Sequence, residues 1–218
     1  MKLQNVILVM GPPGSGKGTQ SKLLASKLEY EYFSTGELSR EYAKHDTEFG
    51  KRVKSIIDQG LILPIDIINE IFVKKFESLT DSTGIILDGY PRALDQLNLL
   101  EELLQKHEIK KPIVFFLNVD RNNLVNRLQK RKTCSKCGTI YNDHMQEYKN
   151  GICSKCGGEL VSRADDDPAV IIKRFDEYHV KTAPVKEYFE AKGLLINING
   201  DQSIEEVQKE ILSKLEQA

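Results

Sequence analysis

A glycine-rich segment near the start of the chain, GPPGSGKGT from Gly11 to Thr19, carries the residue types that bind phosphate. Glycines let the backbone curl so that successive N–H groups point at phosphate oxygens, and the following helix N-terminus adds partial positive charge. Lys17 can reach the terminal phosphates of a nucleotide, and the Thr19 hydroxyl can lie near Mg²⁺. The alternative is a glycine-rich turn without a ligand. The lysine, the apolar run before the segment and the helical pattern after it favour a phosphate-binding loop.

Four cysteines lie close together in the pattern Cys134-x₂-Cys137-x₁₅-Cys153-x₂-Cys156. This spacing is typical of a structural zinc site with four thiolate ligands. Four ligands close a tetrahedral shell, so we expect the metal to be structural and not catalytic. Four free thiols or two disulfides are the alternatives, and a cytoplasmic location would disfavour the disulfides because thiols stay reduced there.

Further along, one carboxylate and two arginines have spacings that suggest chemistry. Asp88 follows the apolar run Ile85–Leu87, where a carboxylate can orient Mg²⁺ through water. Taken alone, residues 88–92 (DGYPR) are better explained as a rigid turn at the end of a strand. Arg127 and Arg131 lie four residues apart and share one face of a helix. For Arg127, a solvated surface position and a functional role are equally supported.

Composition restricts the possible classes of protein. The 218 residues include 31 Lys and Arg and 32 Asp and Glu, giving a net charge of −1, which argues against binding nucleic acid through overall positive charge. Hydrophobic residues make up 40% of the chain and charged residues 29%, as in folded soluble proteins. No apolar run is longer than the five residues of Val6–Met10, which is too short to span a bilayer or to form a signal peptide. We therefore predict a cytoplasmic protein with no membrane partner.

Short apolar runs alternate with longer amphipathic segments, which predicts a parallel sheet covered by helices on both faces. Strands are predicted at Val6–Met10, Glu31–Phe33, Ile85–Leu87, Ile113–Val119 and Leu194–Ile198. Helices are predicted at Gly16–Leu28, Gly36–Lys44, Phe49–Asp58, Ile65–Ser78, Ala93–His107, Arg121–Lys130, Pro168–Ala191 and Ser203–Gln217. Within Pro168–Ala191, Pro184 should break or kink the helix near Thr182.

Two stretches interrupt this alternation. Residues 34–63 contain two predicted helices and no strand, and residues 131–163 contain all four cysteines and four glycines. Both are predicted to be insertions into an α/β core, which then consists of residues 1–33, 64–130 and 164–218.

One departure from the general phosphate-loop pattern points to a family. Gly18 stands directly after Lys17, and the hydroxyl of Thr19 comes one residue later. In this form the loop resembles that of adenylate kinases and other nucleoside monophosphate kinases. The resemblance covers nearly the whole chain, since further family-like motifs follow in the family's order: Ser34-Thr35-Gly36 with Arg40, Asp88-Gly89-Tyr90-Pro91-Arg92 with Gln96, and Arg163-Ala164-Asp165-Asp166 with Arg174. The chain is most similar in pattern to adenylate kinases with a long, zinc-bearing lid.

The resemblance implies a fold and an activity. The fold is a P-loop α/β domain with a five-stranded parallel sheet, in which residues 34–63 bind the nucleoside monophosphate and residues 131–163 form a zinc-ribbon lid. The implied activity is reversible, Mg²⁺-dependent transfer of the terminal phosphoryl group of ATP to AMP, which gives two ADP and serves adenine nucleotide homeostasis. The implied partners are ATP, AMP and ADP, and we expect a monomer. An AMP phosphate is already an anionic nucleophile, so this chemistry requires no general base.

The resemblance also assigns roles to individual residues. Phosphoryl transfer is implied for Lys17, Arg92, Arg131, Arg163, Asp165 and Arg174. ATP binding is implied for Gly14, Ser15, Gly16, Lys17, Gly18, Thr19, Arg131, Ile140, Tyr141 and Gln202. AMP binding is implied for Thr35, Arg40, Leu61, Ile62, Leu63, Gly89, Tyr90, Pro91, Arg92, Gln96, Arg163 and Arg174. By contrast, Asp166 and Asp167 are better explained as a polar turn that caps the helix beginning at Pro168.

Two other functions remain open at this point. A zinc ribbon could bind nucleic acid, and residues 130–163 carry seven Lys and Arg against three Asp and Glu, a net charge of +4. The phosphate loop and the DGYPR segment have no role in such a module, which ranks this alternative low. UMP/CMP kinases share the loop and the DGYPR-like motif, whereas the long zinc lid and Thr35 favour AMP as the acceptor.

Overall fold

The structure is a computed structural model that describes residues 5–77, 84–143 and 145–217. Its strands are β1 Asn5–Met10, β2 Glu31–Ser34, β3 Gly84–Asp88, β4 Ile113–Asn118, β5 Lys132–Cys134, β6 Ile140–Tyr141, β7 Leu160–Val161 and β8 Leu195–Asn199. Its α-helices are α1 Lys17–Leu28, α2 Thr35–Tyr42, α3 Glu48–Ile57, α4 Ile65–Glu77, α5 Gln96–Lys106, α6 Arg121–Gln129, α7 Gln146–Asn150, α8 Pro168–Glu177, α9 Ala183–Ala191 and α10 Ile204–Leu215. Ser78, the predicted end of α4, and residues 1–4, 79–83 and 218 of the predicted core lie outside the described residues.

The main sheet is parallel and has five strands in the order β2-β3-β1-β4-β8. Each strand lies within one residue of its predicted bounds, so the α/β prediction is confirmed. β1 is central because its residues are apolar on both faces and buried. The carboxyl ends of β1 and β3 therefore lie side by side, and they bring the phosphate loop next to Asp88.

Helices cover both faces of the sheet. Val6 and Leu8 point into one hydrophobic cluster, which includes buried residues of α4, α5 and α9. Ile7 and Val9 point into the other, which includes buried residues of α1 and α10. This alternation follows from the two-residue period of a strand. Among the described residues, no helix has the length and apolar character needed to cross a bilayer.

The two predicted insertions have different architectures. Residues 34–63 contribute α2 and α3, each of which begins at a capping hydroxyl that accepts a backbone N–H bond. Residues 131–163 form a small antiparallel sheet, in the order β6-β5-β7, together with the short helix α7, which the sequence pattern did not predict. This second insertion also has its own small hydrophobic cluster, built around two of the cysteines.

The helix predicted over Pro168–Ala191 is interrupted as expected. A π-helical turn spans Tyr178–Thr182, and α9 follows with Pro184 in its first turn. Proline lacks an N–H group and its ring crowds the preceding turn, so the backbone widens before it. The turn places the buried Thr182 hydroxyl 2.8 Å from the carbonyl oxygen of Arg92, to which it donates a hydrogen bond.

Candidate active site

The phosphate loop joins β1 to α1, as the motif predicts. Gly14 and Gly16 have φ values of 84° and 93°, which favour glycine, and a side chain at Gly14 would lie 2.8 Å from the carbonyl oxygen of Leu124. The Ser15 hydroxyl is buried without a hydrogen-bond partner in the described part of the chain. A buried polar group without a partner is costly, so this loop is shaped for a ligand that supplies one.

Lys17 begins α1 and its ammonium donates a hydrogen bond of 2.8 Å to the carbonyl oxygen of Pro12. Burial lowers the pKa of Lys17 from 10.5 to about 7; Asp88 partly offsets this effect, and the nearby Arg92 and Arg174 add to it. A lysine in such surroundings regains its charge when an anion binds beside it. The site therefore favours an anionic ligand at Lys17.

Asp88 ends β3 and is 7% exposed. Its Oδ2 atom accepts hydrogen bonds from the hydroxyls of Ser34, at 2.8 Å, and Tyr32, at 3.0 Å. Tyr32 is not among the predicted site residues, because its place beside Asp88 depends on the pairing of β2 with β3. The carboxylate thus has a fixed position near Lys17. A carboxylate that orients a metal-bound water needs such a fixed position.

Arginines from distant parts of the chain meet next to Lys17. Arg40 comes from the first insertion, Arg92 follows β3, and Arg131 and Arg163 are the first and last residues of the second insertion. All four line cavities at this centre. Burial lowers the pKa of Arg92 to about 10, and burial with Arg40 and Arg131 nearby lowers that of Arg163 to about 9. So many mutually repelling cations in a partly dry site require a polyanion to neutralise them.

Asp166 lies in the predicted turn before α8, but its side chain also holds two arginines, a role that the turn interpretation did not include. Its carboxylate accepts two hydrogen bonds from Arg131, at 2.8 and 2.6 Å, and one from Arg174 at 2.9 Å. Its side chain is only 3% exposed. The neighbouring Asp165 lies 3.2 Å from the Arg174 guanidinium, whereas Asp167 caps α8 as predicted. Burial raises the pKa of Asp165, but Arg174 and other nearby arginines outweigh this effect and lower it overall.

A smaller cavity of about 120 Å³ lies between the first insertion and α8. It is lined by most residues of the predicted monophosphate site: Thr35, Arg40, Leu61, Ile62, Leu63, Gly89, Pro91, Arg92 and Arg174. Contacts between the insertion and α8 make the cavity narrow. Gly60 packs on Val170 and Arg174, and the backbone N–H of Ile62 donates to the Glu177 carboxylate at 3.4 Å.

Tyr90 and Gln96 lie behind this cavity and not on its wall. The Tyr90 ring is fully buried against Phe33 and Phe72, and its hydroxyl donates to the backbone carbonyl of Gln96. The Gln96 side-chain oxygen accepts the backbone N–H of Arg92 at 2.8 Å. Both residues therefore support the segment that carries Arg92, and neither lines the cavity itself.

A larger cavity of about 780 Å³ lies between the phosphate loop, the second insertion and the start of α10. Its lining includes most of the residues predicted for the triphosphate site: Gly14, Ser15, Gly16, Lys17, Gly18, Thr19, Arg131, Ile140 and Gln202. Arg127 also lines this cavity, with its guanidinium donating to the carbonyl oxygen of Gly200 at 3.0 Å. Arg127 is therefore placed at this cavity and anchored to the loop before α10.

Tyr141 is predicted to bind ATP, but it does not line the larger cavity. Its side chain is 3% exposed, and its hydroxyl donates to the sulfur of Cys153 at 3.2 Å and accepts the N–H of Ser154 at 3.1 Å. The side chain thus belongs to the cysteine cluster, because residues 140 and 141 are neighbours on a strand and point to opposite faces. Ile140 faces the larger cavity, which leaves only the backbone of Tyr141 to contact a nucleotide.

The four cysteines converge as their spacing predicts. Their sulfurs all lie within 4.8 Å of one another, with separations of 3.4 Å for Cys134–Cys156, 3.6 Å for Cys137–Cys153 and 3.7 Å for Cys153–Cys156. Tetrahedral zinc with bonds of about 2.3 Å needs sulfurs about 3.8 Å apart. The cysteines are not paired in disulfides, so that alternative is wrong. The geometry fits a four-thiolate metal site.

One glycine beside the cluster is required by this geometry. A side chain at Gly158 would lie 2.7 Å from the sulfur of Cys134. The neighbouring turn is closed by the N–H of Gly157, which donates to the carbonyl oxygen of Cys153 at 2.9 Å. The backbone is thus folded closely around the sulfurs, as in a zinc knuckle.

The family model and the relatives that match this chain belong to the same family. A family model described as adenylate kinase matches residues 9–194. An adenylate kinase of Dehalococcoides mccartyi is 39% identical over 209 residues, which cover 96% of this chain and 97% of the relative. An adenylate kinase of Caldanaerobacter subterraneus subsp. tengcongensis is 35% identical over 210 residues, covering 96% of this chain and 95% of the relative. With its phosphate loop, arginine centre and cysteine-bearing insertion, this chain belongs to the adenylate kinase family.

Proposed function

We propose that the two cavities bind the two nucleotides of the adenylate kinase reaction, in which the terminal phosphoryl group of ATP passes reversibly to AMP and yields two ADP. The observation that supports this most strongly is where the cavities meet. Lys17, Arg40, Arg92 and Arg174 line both of them. A phosphoryl group in transit carries spread negative charge, and a row of cations at the junction is suited to stabilise it.

On the donor side, the backbone of the phosphate loop and Lys17 would hold the β- and γ-phosphates of ATP in the larger cavity. Mg²⁺ bound with ATP neutralises phosphate charge, and the Thr19 hydroxyl and Asp88 are the groups placed to hold its shell. Arg127 lies where its planar guanidinium could stack on the adenine, next to Gln202.

On the acceptor side, Arg40 and Arg92 would grip the phosphate of AMP, because guanidinium groups bind phosphate oxygens in pairs. Arg92 is already oriented, since its side chain donates to the carbonyl oxygen of Gly89 at 2.8 Å. The Thr35 hydroxyl donates to the same carbonyl at 2.9 Å and ties α2 to this segment. The backbone at Leu61–Leu63 would line the base.

Transfer itself then depends on position and charge. An oxygen of the AMP phosphate attacks the γ-phosphorus, and no proton has to be removed from it first. Arg131, Arg163 and Arg174 would neutralise the equatorial oxygens, with Asp166 holding Arg131 and Arg174 in place. Asp165 would position Arg174 from its other side.

We further propose that the second insertion binds one structural Zn²⁺ through Cys134, Cys137, Cys153 and Cys156, since the sulfur separations fit a closed tetrahedral shell. Both nucleotide cavities are formed by a single chain, which supports a monomer as the active form. Four thiols arranged for a metal and not for disulfides support a reducing location such as the cytoplasm. The enzyme would thereby serve the balance of adenine nucleotides.

The acceptor assignment is tested by measuring ADP formation from ATP with AMP, UMP, CMP or GMP under equal conditions. AMP should give the highest kcat/KM, by about a hundredfold or more, because a polar site rejects bases whose hydrogen-bonding groups do not match it. Equal or higher rates with UMP or CMP would overturn the AMP assignment in favour of a pyrimidine acceptor. Absence of turnover with every acceptor would overturn the proposed function.

The lowered pKa of Lys17 predicts proton uptake on ATP binding. At pH 8 a free-site lysine with a pKa of about 7 is mostly neutral, and the bound polyphosphate raises that pKa. The complex should therefore take up close to one proton at pH 8, and affinity for ATP should fall as pH rises above 7. Calorimetry in buffers of different ionisation enthalpy measures the uptake. Lys17→Gln should abolish it, and uptake near zero in the unmodified protein would contradict the prediction.

A further inference from the structure

Two hydroxyl groups from β2 converge on one oxygen of Asp88. Ser34 stands directly opposite Asp88 in the register of β2 and β3, and Tyr32 stands two residues earlier on the same face. The short Ser34 side chain reaches Oδ2 at 2.8 Å, and the long Tyr32 side chain reaches the same atom at 3.0 Å. The torsion of the carboxylate is thus fixed from two directions.

The Tyr32 hydroxyl also lies against the phosphate loop. A side chain carbon at Gly18 would lie 3.3 Å from Oδ2 of Asp88 and 3.8 Å from the Tyr32 hydroxyl. The Tyr32 ring packs in the hydrophobic cluster beneath α1, and the Lys22 ammonium lies 5.6 Å from its centroid. Lys22 in turn pairs with Glu37 at 2.7 Å. The ring is therefore held between the sheet and the helix that follows the phosphate loop.

The two donors differ in what they are attached to. The Ser34 hydroxyl also accepts the backbone N–H of Glu37 at 3.4 Å and so caps α2 of the first insertion. A displacement of that insertion would act on Ser34 directly. Tyr32 lies within β2 of the core sheet, and its connection to α2 is indirect, through Lys22 beside its ring, which pairs with Glu37. Of the two donors, Tyr32 is therefore the one less directly tied to the position of the insertion.

We propose that Tyr32 is a positioning residue that holds the Asp88 carboxylate toward the Mg²⁺ of bound MgATP. The proposal rests on the proposed function, in which Asp88 orients Mg²⁺ through water. Both hydroxyls donate to Oδ2, which would leave Oδ1 to interact with the water shell of Mg²⁺ bound with ATP. Partners that orient a metal-binding carboxylate commonly affect metal affinity or activity by about 10- to 100-fold.

The test compares Tyr32→Phe with Tyr30→Phe. Tyr30 is a matched control, because it packs in the same cluster and its hydroxyl accepts a bond from Asn5 at 2.9 Å, away from the phosphate loop. Tyr32→Phe should raise the Mg²⁺ concentration needed for half-maximal rate about tenfold and leave the KM for AMP unchanged. Tyr30→Phe should leave both unchanged. Equal Mg²⁺ dependence in the two variants would overturn the proposal.

A binding measurement separates this proposal from the proposed function. Calorimetric titration of the protein with ATP, with and without Mg²⁺, reports metal-assisted binding without turnover. In Tyr32→Phe, Mg²⁺ should increase the affinity for ATP much less than it does in the unmodified protein. The affinity for metal-free ATP should be the same in both proteins. In an Asp88→Ala background, Tyr32→Phe should not change this effect of Mg²⁺ further. If Tyr32→Phe lowered this effect of Mg²⁺ further in the Asp88→Ala background, Tyr32 would not act through Asp88. If the unmodified protein formed no ADP, the proposed function alone would be overturned.

Discussion

Replacement of Lys17 by alanine is expected to lower kcat about a thousandfold, with the protein still folded. The ammonium sits where the two cavities meet, and it is the cation that begins α1 beside the phosphate loop. Its charge acts on the phosphoryl oxygens as negative charge develops, so its loss should appear in kcat more than in the KM for AMP. A coupled assay of ADP formation measures both constants.

Folding should not suffer from this change. Burial desolvates Lys17 in the free protein and lowers its pKa to about 7. Removing this ammonium also removes the free-energy penalty of its desolvation from the folded state. The Tm should therefore stay within a few degrees of the unmodified protein. Lys27→Ala, in the last turn of the same helix, is the matched control and should leave kcat unchanged. Near-normal turnover of Lys17→Ala would remove Lys17 from the transfer step.

Replacement of Cys153 by serine is expected to lower the melting temperature of the second insertion by about 10 °C, because the loss of a structural metal site costs several kcal/mol. The insertion has little core of its own: apart from the cysteines, its cluster contains buried Tyr141 and Leu160 with partly buried Met145 and Tyr148. Metal binding should supply much of its folding free energy. Cys153 also accepts the Tyr141 hydroxyl, so the substitution changes that contact as well, because the serine oxygen lies closer to the backbone than the sulfur does.

Two controls separate metal loss from other effects. Ser135→Ala, at an exposed position between the first two cysteines, should change neither metal content nor melting. Turnover of Cys153→Ser at low temperature should largely remain, since Arg131 and Arg163 lie outside the cysteine cluster. Freshly purified protein without one equivalent of zinc would contradict the zinc assignment. If chelation abolished turnover while the fold stayed intact and Mg²⁺ was in excess, the metal would not be purely structural.

Local patterns along the chain were enough to predict the scaffold. The strands are short apolar runs that need both faces covered, and this requirement alone implies a parallel sheet between helices. The phosphate loop and the cysteine pairs are also local, because each consists of residues a few positions apart whose spacing determines their geometry. For the same reason Asp167 and Pro168 predicted the start of α8 correctly.

The tertiary structure decided which side chains reach the site. Asp166 has the same local pattern as Asp167, yet it binds Arg131, 35 residues away, because the second insertion returns the chain to the place where α6 ends. Tyr32 reaches Asp88 only through the register of β2 and β3, and Tyr141 faces the cysteines because of the strand face on which it lies. Spacing determines direction only within one helix, strand or turn. Contacts between elements depend on how those elements pack, and packing involves the whole chain.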